Sequence, residues 1–415
     1  MTISNNQNLR KNVIWNIIGS TFSSFNSLLF LIIVTRINGV DMAGIFSFAF
    51  STACLFYIIG IYSGRTFQVT DNNKEINDSD YLNCKIVTCT IMFLVSIIFC
   101  MVRGYSFNKF IIIEFLVCFK MIEAYSESNY AVLQKFEKLY IVGISMFLKA
   151  TTSLVCFLII DVITKSITIS CFSIFLCNLL VVLIYDRKNI KKVKFRLEKF
   201  NYKKVVYLLK NGFFSFGFAF LTLYLINAPK YAIDTLLSNN MQTIYGIISM
   251  PATILVLFGQ FIIQPFLVKL KTSLVSDKSK FLQIIIKMII IIVVFGFFCI
   301  IVCYFLGIPI LELLYNIDLH LYKSSLIVII CGGIIYTITV VLSTALTTMR
   351  STVSQFMTFL IVSVITLFLS HYFVLKMNIM GACIVYAISM IILLLLYIII
   401  FIKKYLEIGE KYERN

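Results

Sequence analysis

Apolar residues run along this chain in blocks of about 20, separated by short charged or Gly/Asn-rich breaks, and the pattern recurs from end to end. A helix of about 20 apolar residues crosses a hydrocarbon core of about 30 Å, and it satisfies every backbone N–H and C=O within itself. The breaks predict helices over roughly 13–35, 42–64, 85–103, 109–131, 140–160 and 166–185 in the first half of the chain. Six more are predicted over roughly 211–229, 242–268, 283–306, 322–346, 352–374 and 380–402. Lys210, Asn211 and Pro229 interrupt the block from Tyr207 to Tyr231, so eleven and thirteen spans stand as alternative counts. The first block, Val13 to Val34, has the length of a full span and no small-residue cleavage site. It reads as a retained helix rather than a signal peptide, with the mature chain starting near Met1.

Composition supports the same class. The chain is 60% apolar and 13% charged over 415 residues, against roughly 45–50% and 25% in a soluble domain. This excludes a water-soluble fold and leaves no room for a separate soluble domain. The net charge of +17 invites a nucleic-acid reading. Such a role needs charge clustered on a solvated face among stacking aromatics, whereas the 39 Phe, 22 Tyr and one Trp lie inside apolar blocks. Twelve cysteines are scattered through the spans with no C-x-x-C pair, which offers neither a zinc ribbon nor a redox motif. They read as small apolar fillers.

The charge follows membrane topology instead. With the N-terminus inside, the inner segments carry Arg10, Lys11, Arg65, Lys74, Lys85, Lys135, Lys138, ten basic residues between Arg187 and Lys210, five between Lys269 and Lys287, Arg350 and four near the C-terminus. These make 27 of the 36 basic residues. The outer segments carry seven: Arg36, Arg103, Lys109, Lys165, Lys230, Lys323 and Lys376. This bias predicts that both termini are cytoplasmic. The longest loop, Asp186 to Lys204, is inside and basic; it serves as a topology signal and anionic-lipid contact or as a binding element. It divides the predicted helices six and six. The expected organisation is a six-helix bundle over 1–185, a basic linker over 186–204, a second bundle over 205–402 and a cytoplasmic tail over 403–415. The openings of the halves, IVTRINGVDMAGIFSFAF and PKYAIDTLLSNNMQTIYGIISM, share a weak pattern: a polar turn with Asp41 or Asp234, then Phe46-Ser47 or Tyr245-Gly246. Parallel repeats of this kind predict an all-α integral membrane protein of about twelve helices, with two pseudo-symmetric six-helix bundles around a central cavity.

Enzyme chemistry finds little support. His320 and His371 are the two histidines, both near predicted outer helix ends, and no phosphate-binding G-x-x-x-x-G-K-[ST] loop exists. No catalytic residue, metal ligand set or cofactor site is assigned, and Gly332-Gly333 reads as a close packing point. The informative signal is charge within spans, since an ionisable group near the bilayer centre is costly unless it faces a cavity or a partner. The fourth predicted helix carries Glu114, Lys120, Glu123 and Glu127. At about 100° per residue, Lys120 and Glu127 lie about 20° apart and Glu123 about 60° from Lys120, so the three share a face, while Glu114 falls about 120° away. Either an internal ion-pair ladder or a functional cavity results. Lys149 lies halfway along the fifth helix with no carboxylate near it in sequence, which marks it as a cavity residue. Arg36, Arg65, Lys230 and Arg350 sit near span ends, where they snorkel to headgroups or turn into the cavity, and Asp234 is placed to pair with Lys230 at i+4. Pro251 and Pro265, with Gly259 between them, are candidate bends in the eighth helix.

At the N-terminus the residues N-L-R-K-N precede the first helix, and T-R-I-N-G-V-D-M-A-G-I-F-S-F closes it and opens the second. This opening, the length, the two halves and the Ile/Phe/Lys/Asn-rich style resemble Wzx-type polysaccharide flippases over nearly the whole chain. Those proteins share a superfamily with multidrug/toxin extruders and lipid II flippases. The resemblance implies a V-shaped pair of bundles around a cationic cavity in the bacterial inner membrane. That cavity would pass an undecaprenyl-pyrophosphate-linked oligosaccharide, the repeat unit of an O-antigen (lipopolysaccharide) or a capsule, to the outer leaflet by alternating access. Lys120 and Lys149, the only lysines deep in spans, would meet the diphosphate with Arg36, Arg65, Lys230 and Arg350, and Glu123, Glu127 and Asp234 would take a counter-moving H⁺ or Na⁺. Partners implied are membrane lipids and the polymerase and chain-length proteins of the pathway. Three acids beside one lysine on the fourth helix depart from a purely cationic cavity.

Other readings compete. An O-antigen polymerase is an equally apolar chain with a large outer loop, and here every predicted outer loop is short. A multidrug exporter of the same superfamily would differ only in cavity chemistry. A major-facilitator transporter would carry G-x-x-x-D-R-x-G-R-R after the second helix, and Gly64-Arg65-Thr66-Phe67-Gln68 stands there instead.

Overall fold

The structure, a computed structural model, describes residues 2–62, 64–71, 75–193 and 198–413, with side chains described throughout except at 2–9, 66, 70, 268, 275, 276 and 408–413. Helices and turns make up the described residues, which contain no strand. The chain divides into two compact units, Met1–Phe216 and Gly217–Asn415.

The first unit holds α1 (Thr2–Asn38), α2 (Val40–Ile61), a short α3 (Gly64–Thr70), α4 (Asp78–Arg103), α5 (Phe107–Lys135) and α6 (Leu139–Thr164). α7 (Ile167–Val181) continues through a π-turn (Val182–Asp186) into α8 (Arg187–Lys191), and the start of α9 (Tyr202–Leu236) completes the unit. The second unit has the rest of α9, α10 (Asn239–Ile263), α11 (Leu267–Ser276), α12 (Lys278–Val302), α13 (Ile308–Tyr315), α14 (Lys323–Thr348) and α15 (Thr352–Glu413).

Ten of these runs are long and apolar enough to cross a membrane. α5 falls outside that set because Glu114, Lys120, Glu123 and Glu127 charge its 29 residues. The last run is broken at Asn378, whose φ of 49° and ψ of −128° are not helical, into 352–377 and 379–413. Counting α5 and dividing α15 there is compatible with twelve spans. Large apolar side chains such as Leu94, Ile163, Phe297 and Phe368 face outward, as expected of helices solvated by lipid.

Local details differ from the sequence reading for physical reasons. α9 runs unbroken through Lys210, Asn211 and Pro229, and its opening turns pack Val205 and Leu208 on Tyr81 and Cys84 of α4. The first unit therefore reaches Phe216, where the sequence reading ended the first bundle at 185. Pro251 leaves α10 continuous, whereas the 3₁₀ turn Gln264–Phe266, which holds Pro265, ends it. One end of the first unit is tied by ions and caps. Asn77 and Asp80 form a capping box at α4, Lys204 of α9 reaches Asp80 at 2.8 Å, and Lys135 of α5 reaches Asp78 at 2.7 Å. Lys74, Lys194 and Arg196 of the basic segments lie outside the described residues.

Candidate functional site

Helix α5 places its charges as its period requires. Glu114 turns to α4, where Ser96 donates to it at 2.9 Å and Cys100 lies at 3.9 Å. Lys120, Glu123 and Glu127 line the opposite side. Lys120 Nζ donates to Glu123 at 2.7 Å and sits over the rings of Phe50, Tyr57 and Phe119 at 5.1, 5.7 and 4.7 Å. Glu127 faces Arg65 of α3, with Nε 3.7 Å from its Oε2. The buried Nη1 of Arg65 has no hydrogen-bond partner among the described residues. The guanidinium is thus held by charge with part of its fork unused.

Lys149 on α6 is the centre of a buried polar network. Its Nζ donates to Asp186 Oδ2 at 2.7 Å, to Ser126 Oγ at 2.7 Å and to Tyr130 Oη at 2.8 Å, which uses all three protons. Ser145 donates to the other Asp186 oxygen at 2.6 Å, and Tyr130 Oη and Ser145 Oγ lie 2.7 Å apart. Because the Ser145 proton is committed to Asp186, Tyr130 is the donor in that contact. The lysine and aspartate side chains are 6% and 2% exposed, so the pair is a true interior ion pair, of the kind that persists only with its hydrogen bonds complete.

A cavity of about 430 Å³ opens beside this network, lined by Tyr57, Glu123, Glu127, Tyr130 and Lys149 with Ser23 and Asn26 of α1. The sequence-predicted Lys120, Glu123, Glu127, Arg65 and Lys149 therefore come together within the first unit. The other predicted cations do not join them. Arg36 is exposed at the last turn of α1, and Arg350 is exposed in the left-handed turn after α14. Lys230 lines a different cavity, in the second unit, and Asp234 is half-buried one turn further along α9.

Asp186 was missed as a partner. It is 37 residues from Lys149, beyond any helical spacing rule, and in the sequence it only opens a basic loop. The legible signal was an acid closing an apolar block with basic residues after it. The π-turn Val182–Asp186 carries its side chain into the bundle. Asp161, also missed, is buried at the other end of α6 and accepts from Ser170 at 2.9 Å and Asn38 at 3.2 Å.

The same architecture occurs in solved transporters. A multidrug resistance MATE transporter of the MOP superfamily, solved facing inward, superposes with a TM-score of 0.66 at 12% identity, covering 96% of this chain and 99% of that one. The lipid II flippase MurJ, in an inward closed conformation, superposes with a TM-score of 0.68 at 16% identity, covering 95% of this chain and 90% of that one.

The chain has the fold of these MATE and MurJ transporters.

The Vibrio cholerae MATE transporter VcmN shares the fold, with a TM-score of 0.59 at 12% identity over 96% of this chain and 97% of that one. Among characterised sequences, the capsular polysaccharide biosynthesis protein CapF of Staphylococcus aureus is 25% identical over 402 residues, spanning 93% of this chain and 98% of CapF. No family model matches the chain. The match to CapF agrees with the resemblance to polysaccharide flippases carried by the opening residues. The solved neighbours are transporters and a flippase rather than enzymes.

Proposed function

We propose that this MOP-fold protein is a flippase that carries undecaprenyl-pyrophosphate-linked oligosaccharide repeat units from the cytoplasmic to the outer leaflet of the bacterial inner membrane, with both termini cytoplasmic. The observation that carries the proposal is the charged cavity of the first unit, lined by Lys149, Glu123 and Glu127, with the partly unused Arg65 fork set against Glu127. A diphosphate needs such cations, and the polyprenyl tail remains in lipid. The CapF name favours a capsular glycan as cargo.

The inside-negative potential favours outward transfer of an anion by about 2.3 kcal/mol per charge per 100 mV, so no ATP site is required. A counter-moving H⁺ or Na⁺ is assigned to Glu123 and Glu127, the two acids that line the cavity. The polymerase reading is disfavoured by connections on the proposed outer side: 39, 104–106, 165–166, 237–238, 316–322 and 378 are all short. The test is deletion of the gene in its host, with gels of surface polysaccharide and an assay of which leaflet holds the lipid-linked unit. Complete single units trapped inside support the flippase. Single units reaching the outer face unpolymerised would identify a polymerase instead, and unchanged surface glycan would refute both.

A further inference from the structure

The second unit has a cavity of its own, with about 500 Å³ of empty space including its open mouth. Three tyrosines from three helices wall it: Tyr245 of α10, Tyr336 of α14 and Tyr386 of α15, with side chains almost wholly enclosed by protein. None of their hydroxyls is hydrogen-bonded to another described residue. Buried phenols ordinarily find a partner, so three unengaged donors around one space call for a ligand rich in acceptors.

The same space offers acceptors. Asn227 gives one Nδ2 proton to the Leu223 carbonyl at 3.0 Å, Ser249 donates to the Gly246 carbonyl at 2.8 Å and Thr253 to the Ser249 carbonyl at 3.2 Å. With those protons committed inside the helices, the amide oxygen and two hydroxyl oxygens remain to receive hydrogen bonds. A wall of aromatic rings with donors and acceptors between them matches a sugar ring. Its C–H faces lie against the aromatic rings, and each of its hydroxyls both gives and takes a hydrogen bond.

Other occupants fit less well. A lipophilic cation would meet no carboxylate in the lining, which instead includes Lys230. An isoprenoid tail would cover the three phenols and the Asn227 amide without satisfying them, which is costly. The wall is also fixed in place. A Cβ on Gly332 of α14 would fall 2.7 Å from the Tyr386 ring, so the ring packs closely against α14 where only a glycine leaves room.

We infer that this cavity is a saccharide subsite, which takes a sugar ring of the transported glycan independently of its phosphate. The inference rests on the proposed carriage of a lipid-linked glycan and adds where the second unit recognises it. The test uses the full-length protein in nanodiscs and, as probe, oligosaccharide released from the host's own surface polysaccharide, free of lipid and phosphate. Binding is read by saturation-transfer NMR and titration. The wild type is expected to bind, Asn227→Leu and Tyr336→Leu each to weaken binding about tenfold or more, and Tyr336→Phe, which keeps the ring and should fold, to weaken it a few-fold. Equal binding by wild type and all three variants would overturn the inference, as would failure of the wild type to bind the oligosaccharide. Loss of the flippase reading is separate, since it would appear as unchanged surface glycan in the deletion strain whatever the pocket binds.

Discussion

Neutralising one member of the Lys149–Asp186 pair tests whether the pair holds the fold, the function or both. Both side chains are almost fully buried, at 6% and 2% exposed, and joined at 2.7 Å. Removing either partner strands the other charge in the bundle, at a cost of about 3–5 kcal/mol. Ser126 and Tyr130 lie 2.7 and 2.8 Å from the lysine and lose charge-assisted bonds worth about 1.5–3 kcal/mol each, although these losses overlap and do not add. Replacing both members with apolar residues of similar size, Lys149→Met with Asp186→Leu, removes the stranded charge and is expected to restore stability to within about 1 kcal/mol of wild type.

The assay is denaturant-induced unfolding of the purified protein in micelles, run beside export of surface glycan from cells carrying each variant. Lys149→Met and Asp186→Asn should each unfold at clearly lower denaturant than wild type, and the double variant near wild type. On the proposed function the double variant, although stable, exports no glycan, because the diphosphate has lost its deepest cation. If the single variants proved as stable as the double, the interior ion-pair account would fail. If the stable double variant exported normally, Lys149 would serve packing alone and would not belong to the substrate path.

Gly143→Leu should separate α1 from α6, because a Cβ at Gly143 would lie 2.2 Å from the Trp15 carbonyl; overpacking of this kind costs about 1–3 kcal/mol or more, visible as a lowered unfolding midpoint. Arg65→Gln should weaken inorganic pyrophosphate binding by about 10-fold to 100-fold, the worth of charge-assisted hydrogen bonds from a guanidinium fork, with titration calorimetry as the check. At the N-terminus of α12, backbone N–H donation from Lys280 holds the Asp277 carboxyl below its ordinary value of 3.8. Its cap is therefore complete above the usual aspartate range and lost as pH falls through the lowered value, with faster amide exchange at Ser279 and Lys280 as the readout.

Helix positions were legible because lipid imposes a simple rule on every span: about 20 apolar residues with all backbone groups bonded internally. The charges of α5 were legible too, since 100° per residue decides which of them share a face. Partners across helices were not. Nothing in the spacing of Lys149 points to Asp186, whose side chain enters the bundle through a π-turn that leaves no mark in the hydropathy. Nor did the sequence separate Arg65 from Arg36: both close an apolar block, yet only Arg65 sits on a short helix, Gly64–Thr70, that turns it toward Glu127. The tyrosine cavity was hidden for a similar reason. Tyr245, Tyr336 and Tyr386 each look like an ordinary aromatic in an apolar run, and only the crossing of three helices brings them together.

The cations of the first unit are not bare. Lys120 has Glu123, Arg65 has Glu127 and Lys149 has Asp186, so the cavity is closer to neutral than a purely cationic one. On the proposed function this balance has a mechanistic consequence. A diphosphate entering the cavity must displace carboxylates from their lysines and arginine, and a carboxylate left without its cation inside the bundle is costly until it takes up a proton or a metal cation. Departure of the substrate returns each acid to its own cation. The pairing also sets the resting state, in which an empty cavity keeps its charges satisfied and the bundle retains its stability.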